Sequence, residues 1–125
     1  MAETWRVSKL DIDIRYLEGI PVIKATGDCD LITSNKLRAA TENLLNISHC
    51  KIVFDLRDMI YIDSSGFRVL LEARNKAVGK NGDIILVSLS APVEHMFDLM
   101  GLANLIARTD TVEEAVARLK NLKCA

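Results

Sequence analysis

Tyr61-Ile62-Asp63-Ser64-Ser65-Gly66 ends an apolar, strand-like segment and opens a helix-like one. The first turn of a helix has backbone N–H groups without intrahelical partners, and the helix dipole adds roughly half a positive charge there. Two hydroxyls at such a point suit a phosphate, so a phosphoserine at Ser64 is electrostatically tolerable without refolding. The plainer reading is that Asp63 or Ser64 caps the helix.

Upstream of this junction, Lys51-Ile52-Val53-Phe54-Asp55-Leu56 reads as a strand covered on both faces, and it delivers the chain to Asp63. Downstream, Phe67, Leu70, Leu71, Ala73, Ala77 and Val78 recur near the helical period until Gly79-Lys80-Asn81-Gly82 stops the helix. Working outward, polar and apolar residues alternate from Asp11 to Tyr16, Leu17-Glu18-Gly19 makes a turn, and Ile20 to Ala25 returns as the second strand of a hairpin. Pro21 belongs near a strand start or on an edge, and Gly27-Asp28-Cys29-Asp30 breaks the strand. Thr33 and Ser34 are N-cap candidates for a helix with Leu37, Ala40, Leu44 and Leu45 on one stripe.

Ile84-Ile85-Leu86-Val87 is a further buried strand. Pro92 opens a helix bearing Val93, Met96, Phe97 and Met100, with Gly101 as its stop. Leu105-Ile106-Ala107 predicts a short strand, and Thr111-Val112-Glu113-Glu114 matches a capping box. Val112, Ala115, Val116, Leu119 and Leu122 form the stripe of the last helix. This order predicts a single α/β domain over residues 1–125 with a mixed β-sheet: an N-terminal hairpin, then parallel strands joined by helices.

Composition narrows function. Half of the 125 residues are hydrophobic, enough for one compact core, and sixteen Lys+Arg against seventeen Asp+Glu leave a formal charge of −1. No global cationic field exists to hold nucleic acid or an anionic membrane, so protein or small-molecule partners are expected. Met1 to Arg6 lacks the apolar region of a secretory signal, and no apolar run reaches the ~18 residues of a membrane span. These features predict a cytoplasmic protein without membrane insertion. Cys29, Cys50 and Cys124 are an odd number without C-x-x-C spacing, and His49 and His95 add no ligand spacing. They argue against a disulfide framework and a metal site, and for a buried thiol and ordinary surface imidazoles.

Enzyme chemistry finds little footing. Neither serine sits on a G-x-S-x-G elbow, and neither G-x-x-x-x-G-K-[ST] nor G-x-G-x-x-G occurs. A phosphoryl-accepting receiver would use Asp55, but it needs an acidic pair just past the first strand, whereas Asp11 and Asp13 alternate within it. Asp28, Asp30 and Asp63 fall at or just past strand ends, where they serve as loop and capping residues or cluster as an acidic rim near Ser64. Such a rim would orient the hydroxyl toward a kinase or repel an attached phosphate.

Ile52 to Leu56 running into Ile62-Asp63-Ser64-Ser65-Gly66, with Gly27-Asp28-Cys29-Asp30 upstream and Phe97-Asp98-Leu99-Met100-Gly101-Leu102 downstream, resembles the STAS domain of bacterial anti-sigma factor antagonists. The resemblance spans nearly the whole chain and implies a STAS-like fold with about four helices packed mainly on one face of the sheet. It maps a kinase-phosphorylated serine onto Ser64, with Ser65 as second choice, and a partner surface onto Asp28, Asp30, Asp63, Ser65, Gly66, Phe67 and Arg68.

The implied partners are a serine kinase that is itself the anti-sigma factor and, for the phosphorylated form, a PP2C-type phosphatase; a weak homodimer is also compatible. The chain would be substrate and ligand, with no cofactor and no catalysis of its own. The alternative is a constitutive STAS subunit of a lipid-transport or stress-signalling complex, with the serine only a cap. Two departures stand out: Phe67 and Arg68 follow the motif glycine where small or aliphatic residues are expected, and Cys29 stands where leucine or isoleucine is expected. Arg68 places a cation beside the phosphosite, where it screens a phosphate or changes the partner.

Overall fold

The structure, a computed structural model, describes residues 7–124; Met1 to Arg6, read above for a secretory signal, and residue 125 lie outside the described residues. The described chain forms β1 (Leu10–Leu17), β2 (Ile20–Cys29), α1 (Ser34–Asn46), β3 (Lys51–Asp55), β4 (Met59–Ile62), α2 (Ser64–Gly79), β5 (Asp83–Val87), α3 (Ala91–Leu99), β6 (Ala107–Thr109) and α4 (Val112–Lys120). The hairpin is antiparallel, and the remaining strands are parallel in the order β1-β2-β3-β5-β6, with β4 also paired to β2.

Helices α1, α2 and α3 cover one face of the sheet through Leu37, Leu45, Phe67, Leu70, Val93 and Phe97, which close over Ile23, Ile52 and Phe54. The fourth, α4, covers the opposite face: Val112, Ala115, Val116 and Leu119 pack on Val22, Val53, Ile85 and Val87. Alternation along β3 explains how both faces are served, since Ile52 and Phe54 point one way and Val53 the other.

Several local expectations are corrected. The segment leading to Asp63 is two strands. Asp55 Oδ1 accepts the Arg57 N–H at 3.2 Å, turning the chain out of β3, and β4 then resumes along the same edge of β2. Gly27 to Cys29 do not break β2; they continue it past a register shift between Gly27 and Asp28, where Gly27 takes φ +111°. The last strand starts at Ala107, two residues later than the Leu105-Ile106-Ala107 reading. Val78 of the α2 stripe is exposed, and Val69 is buried in its place.

Cys50 and Cys124 are paired as a disulfide with Cα atoms 6.1 Å apart, against the expectation that no disulfide would form. Spacing missed the pair because the return of the chain after α4 brings Cys124 beside the start of β3. Cys29 is the buried free thiol that was expected. No helix among the described residues is long and apolar enough to cross a membrane, and no group of three or more metal-ligating side chains occurs among them.

Candidate functional site

The site is built where the ends of β2 and β4 feed α1 and α2. At the end of β4, Asp63 is extended (φ −114°, ψ −171°) and caps α2: its Oδ1 accepts from Ser65 N–H at 2.9 Å and Gly66 N–H at 3.2 Å. Its carbonyl accepts from Phe67 N–H at 3.0 Å, and its own N–H donates to Cys29 O at 3.2 Å, tying the helix start to β2. Asp63, rather than Ser64, is the cap. The expectation of open N–H groups awaiting a phosphate is narrowed accordingly, since those of Ser65, Gly66 and Phe67 are already engaged.

Ser64, the first residue of α2, is exposed, and Ser65 is half-buried. Gly66 is packed so closely that a methyl group there would lie 2.7 Å from Cys29 Sγ, 2.8 Å from Ile62 Cγ1 and 2.9 Å from Cys29 O. Phe67 is 2 % exposed and meets Phe97 edge-on, ring centroids 4.8 Å apart at 88°. Gly66 and Phe67 therefore position the helix from below, and the expectation that they lie on the partner surface is corrected for both. The helical turn that exposes Ser64 and Arg68 turns Phe67 into the core.

Asp30 organises the turn that leads into α1. Its Oδ1 accepts from Ile32 N–H at 3.0 Å, Thr33 N–H at 2.9 Å and Thr33 Oγ1 at 3.0 Å, while its carbonyl accepts from Ser34 N–H at 2.9 Å. The Thr33 N–H, the Ser8 hydroxyl and these further bonds favour the carboxylate and hold its pKa down at about 2, with burial opposing. Thr33 occupies the N-cap position yet makes no capping bond of its own. Between these two acids lies Cys29, whose thiol is pushed up to about 12, mainly by burial and then by the charges of Asp63 and Asp30. It is an inert packing group.

The predicted residues divide between two clefts. Ser64, Ser65 and Arg68 line a cleft of about 550 Å³ together with Leu31, Ile32, Ser34, Asn35 and Arg38. Asp28 and Asp30 line a neighbouring one with Ser8, Ile60 and Tyr61. Asp28 is 7 % exposed. The expected acidic rim around Ser64 is therefore not a shared surface: Asp63 is turned onto the N–H groups of α2, Asp30 onto those of the turn before α1, and Asp28 is buried in the other cleft.

Sequence reading missed the α1 side of the Ser64 cleft. Leu31 and Ile32 are 72 % and 80 % exposed, an apolar pair standing in water at the start of α1. The signal available was two large aliphatic residues just after the Gly27-to-Asp30 turn and before the helical stripe. Arg38, on the same side of α1, reaches Glu72 on α2 through Nε at 3.2 Å and Asn35 Oδ1 through Nη1 at 3.1 Å.

The STAS domain family model matches residues 11–115 of this chain. The anti-sigma F factor antagonist of Paenibacillus polymyxa is 25 % identical over 112 residues, covering 89 % of this chain and 96 % of that protein. The crystal structure of an anti-sigma factor antagonist from Mycobacterium paratuberculosis superposes with a TM-score of 0.80 at 20 % identity, covering 90 % of this chain and 96 % of the other. The anti-sigma factor antagonist SpoIIAA in its unphosphorylated form gives a TM-score of 0.75 at 22 % identity, covering 90 % and 99 %. At these identities the two structures speak to the fold alone.

Proposed function

The chain belongs to the STAS domain family, and on that ground we propose that it is an anti-sigma factor antagonist: a cytoplasmic protein-binding module, without catalysis of its own, switched by phosphorylation of Ser64. The observation that carries the proposal is the exposure of Ser64 at the head of α2, in one cleft with the exposed apolar pair Leu31 and Ile32. Unmodified, this face docks on a serine-kinase anti-sigma factor and displaces the sigma factor. The apolar pair supplies area to bury, and the serine offers its hydroxyl to the kinase.

Phosphorylation adds about −1.5 to −2 charge and a strongly hydrated group at the cleft mouth, so docking would have to desolvate it. A coupling of about 1–3 kcal/mol between phosphate and partner, roughly 5- to 150-fold in affinity, suffices for a switch. A PP2C-type phosphatase would restore the binding form.

The test is incubation with candidate serine kinases and ATP, followed by peptide mapping. Label is expected on Ser64, absent in Ser64→Ala and retained in Ser65→Ala. Ser64→Asp is expected to bind the kinase more weakly than wild type. Equal binding by the two, or label confined to Ser65, would refute the assignment, and capture of transporter components in place of a kinase would favour a constitutive subunit.

A further inference from the structure

We propose that the phosphate, once on Ser64, is held by this chain's own arginines, with Arg68 as the principal clamp and Arg38 as the second cation across the cleft. The inference rests on the reading of Ser64 as the phosphorylated residue. It starts from what the helix terminus no longer offers. The N–H groups of Ser65 and Gly66 are bound by Asp63 Oδ1 and that of Phe67 by the Asp63 carbonyl, so of these first-turn donors only the N–H of Ser64 itself is left to a phosphate there, and the rest must come from side chains.

Arg68 stands one turn along the same helix face, the spacing at which helical side chains meet. It is exposed and has neither an ion-pair nor a hydrogen-bond partner among the described residues. Its guanidinium is free to fold back over Ser64 and to offer the paired N–H groups that match a phosphate. Arg38 lines the same cleft from α1; Glu72 and Asn35 engage its Nε and Nη1, leaving Nη2 to donate.

The acids around the cleft leave Arg68 uncancelled, whereas Glu72 partly offsets Arg38 and makes it the weaker cation. Asp63 is committed to N–H groups of α2 and Asp30 to those of Ile32 and Thr33 in the turn before α1, and Glu72 is paired with Arg38 at 3.2 Å. Phosphorylation would then remove two features from the docking face together, the serine hydroxyl and the free Arg68 cation, without moving the backbone. That makes the switch a local rearrangement of charge.

The experiment installs phosphoserine at position 64 by genetic encoding and follows its ³¹P resonance against pH in the wild-type background, in Arg68→Gln, in Arg68→Lys and in Arg38→Gln. A clamped phosphate has its second ionisation below the ordinary value of about 6. It is expected to rise by about 0.5 pH unit in Arg68→Gln and by less in Arg38→Gln, because an opposite charge near an exposed group shifts it modestly. Arg68→Lys keeps the charge and is expected to retain most of the depression, and high salt is expected to erase the differences. Identical titration in wild type and Arg68→Gln overturns the clamp. Since no kinase is used, that result leaves the switch standing, whereas failure of any kinase to label Ser64 overturns the switch and leaves the titration intact.

Discussion

Two glycines of one helix make the sharpest test of how Ser64 is positioned. Both Gly66 and Gly79 lie in α2, and neither has a left-handed backbone, so alanine is conformationally acceptable at each. At Gly79 nothing lies within 4 Å of where the methyl would go. Gly79→Ala is therefore expected to stabilise by about 0.4–1 kcal/mol, through the smaller entropy of the unfolded chain. At Gly66 the methyl meets Cys29 Sγ, Ile62 Cγ1 and Cys29 O at 2.7, 2.8 and 2.9 Å. Contacts of this kind are comfortable only at about 3.5–4.0 Å, so the first turn of α2 must back away from β2 and β4 by most of an ångström.

Neither the Cys29 carbonyl, set in a strand, nor the fully buried Ile62 can yield cheaply. The overpacking cost is then near the upper end of the usual range, about 3 kcal/mol. Subtracting about 1 kcal/mol for the helical preference of alanine over glycine leaves a net loss of about 2 kcal/mol. Urea unfolding of both variants measures the difference directly, with unchanged slopes confirming that the same surface is exposed. Opposite signs at the two positions are expected, and Gly66→Ala should also weaken binding to the kinase because the docking helix is displaced. Equal stability changes at Gly66 and Gly79 would refute the claim that close packing on Cys29 sets the start of α2.

Phe67→Ala is expected to destabilise by about 3–5 kcal/mol, since the ring is a core group against Phe97; a loss of partner binding at unchanged stability would return it to the surface role read from sequence. Asp30→Asn should flatten the acid limb of the stability curve. The folded carboxyl titrates at about 2 against 3.8 for the ordinary group. Its contribution is therefore fully present above the unfolded value, is lost as pH falls through the folded one, and is absent from the variant in a pH series of thermal unfolding. Cys124→Ser should cost oxidised protein stability, at most about 4.5 kcal/mol for a loop of this length, and cost reduced protein nothing; equal denaturant midpoints for oxidised wild type and oxidised variant would remove the Cys50–Cys124 link as a structural element.

What was legible in the sequence was whatever rests on periodicity and end signals. The stripe of Leu37, Leu44 and Leu45, the Thr111 N-cap and the apolar run from Ile84 to Val87 each fall where local patterning puts them. What escaped depends on residues that meet only in three dimensions. The turn after Asp55 hides inside an apolar stretch because it is closed by the Asp55 carboxylate and the Leu56 carbonyl and contains neither glycine nor proline. The part Asp30 plays in the turn that leads into α1 was obscured by Thr33, which holds the N-cap position but donates its hydroxyl to the Asp28 carbonyl at 2.7 Å. The site divided in the same way: Ser64 at a helix head was readable, whereas Leu31, Ile32 and Arg38 joined it only through the side-by-side packing of α1 and α2.

That packing bears on how a switch could work here. The head of α2 is fixed from several sides: Asp63 N–H on Cys29 O, Asp63 Oδ1 on two N–H groups, Gly66 against Cys29, and Phe67 on Phe97. Moving it would break most of these together, at a cost of several kcal/mol once a buried ring and a helix cap are both disturbed. A surface phosphate, worth about 1–3 kcal/mol in coupling, cannot drive such a change. The energetically accessible response is the motion of exposed side chains. Arg68 can swing at little cost, and Leu31 and Ile32 already present their apolar surface without rearrangement. A rigid frame carrying one modifiable hydroxyl at its rim therefore favours switching by charge and hydration of the docking face over switching by refolding.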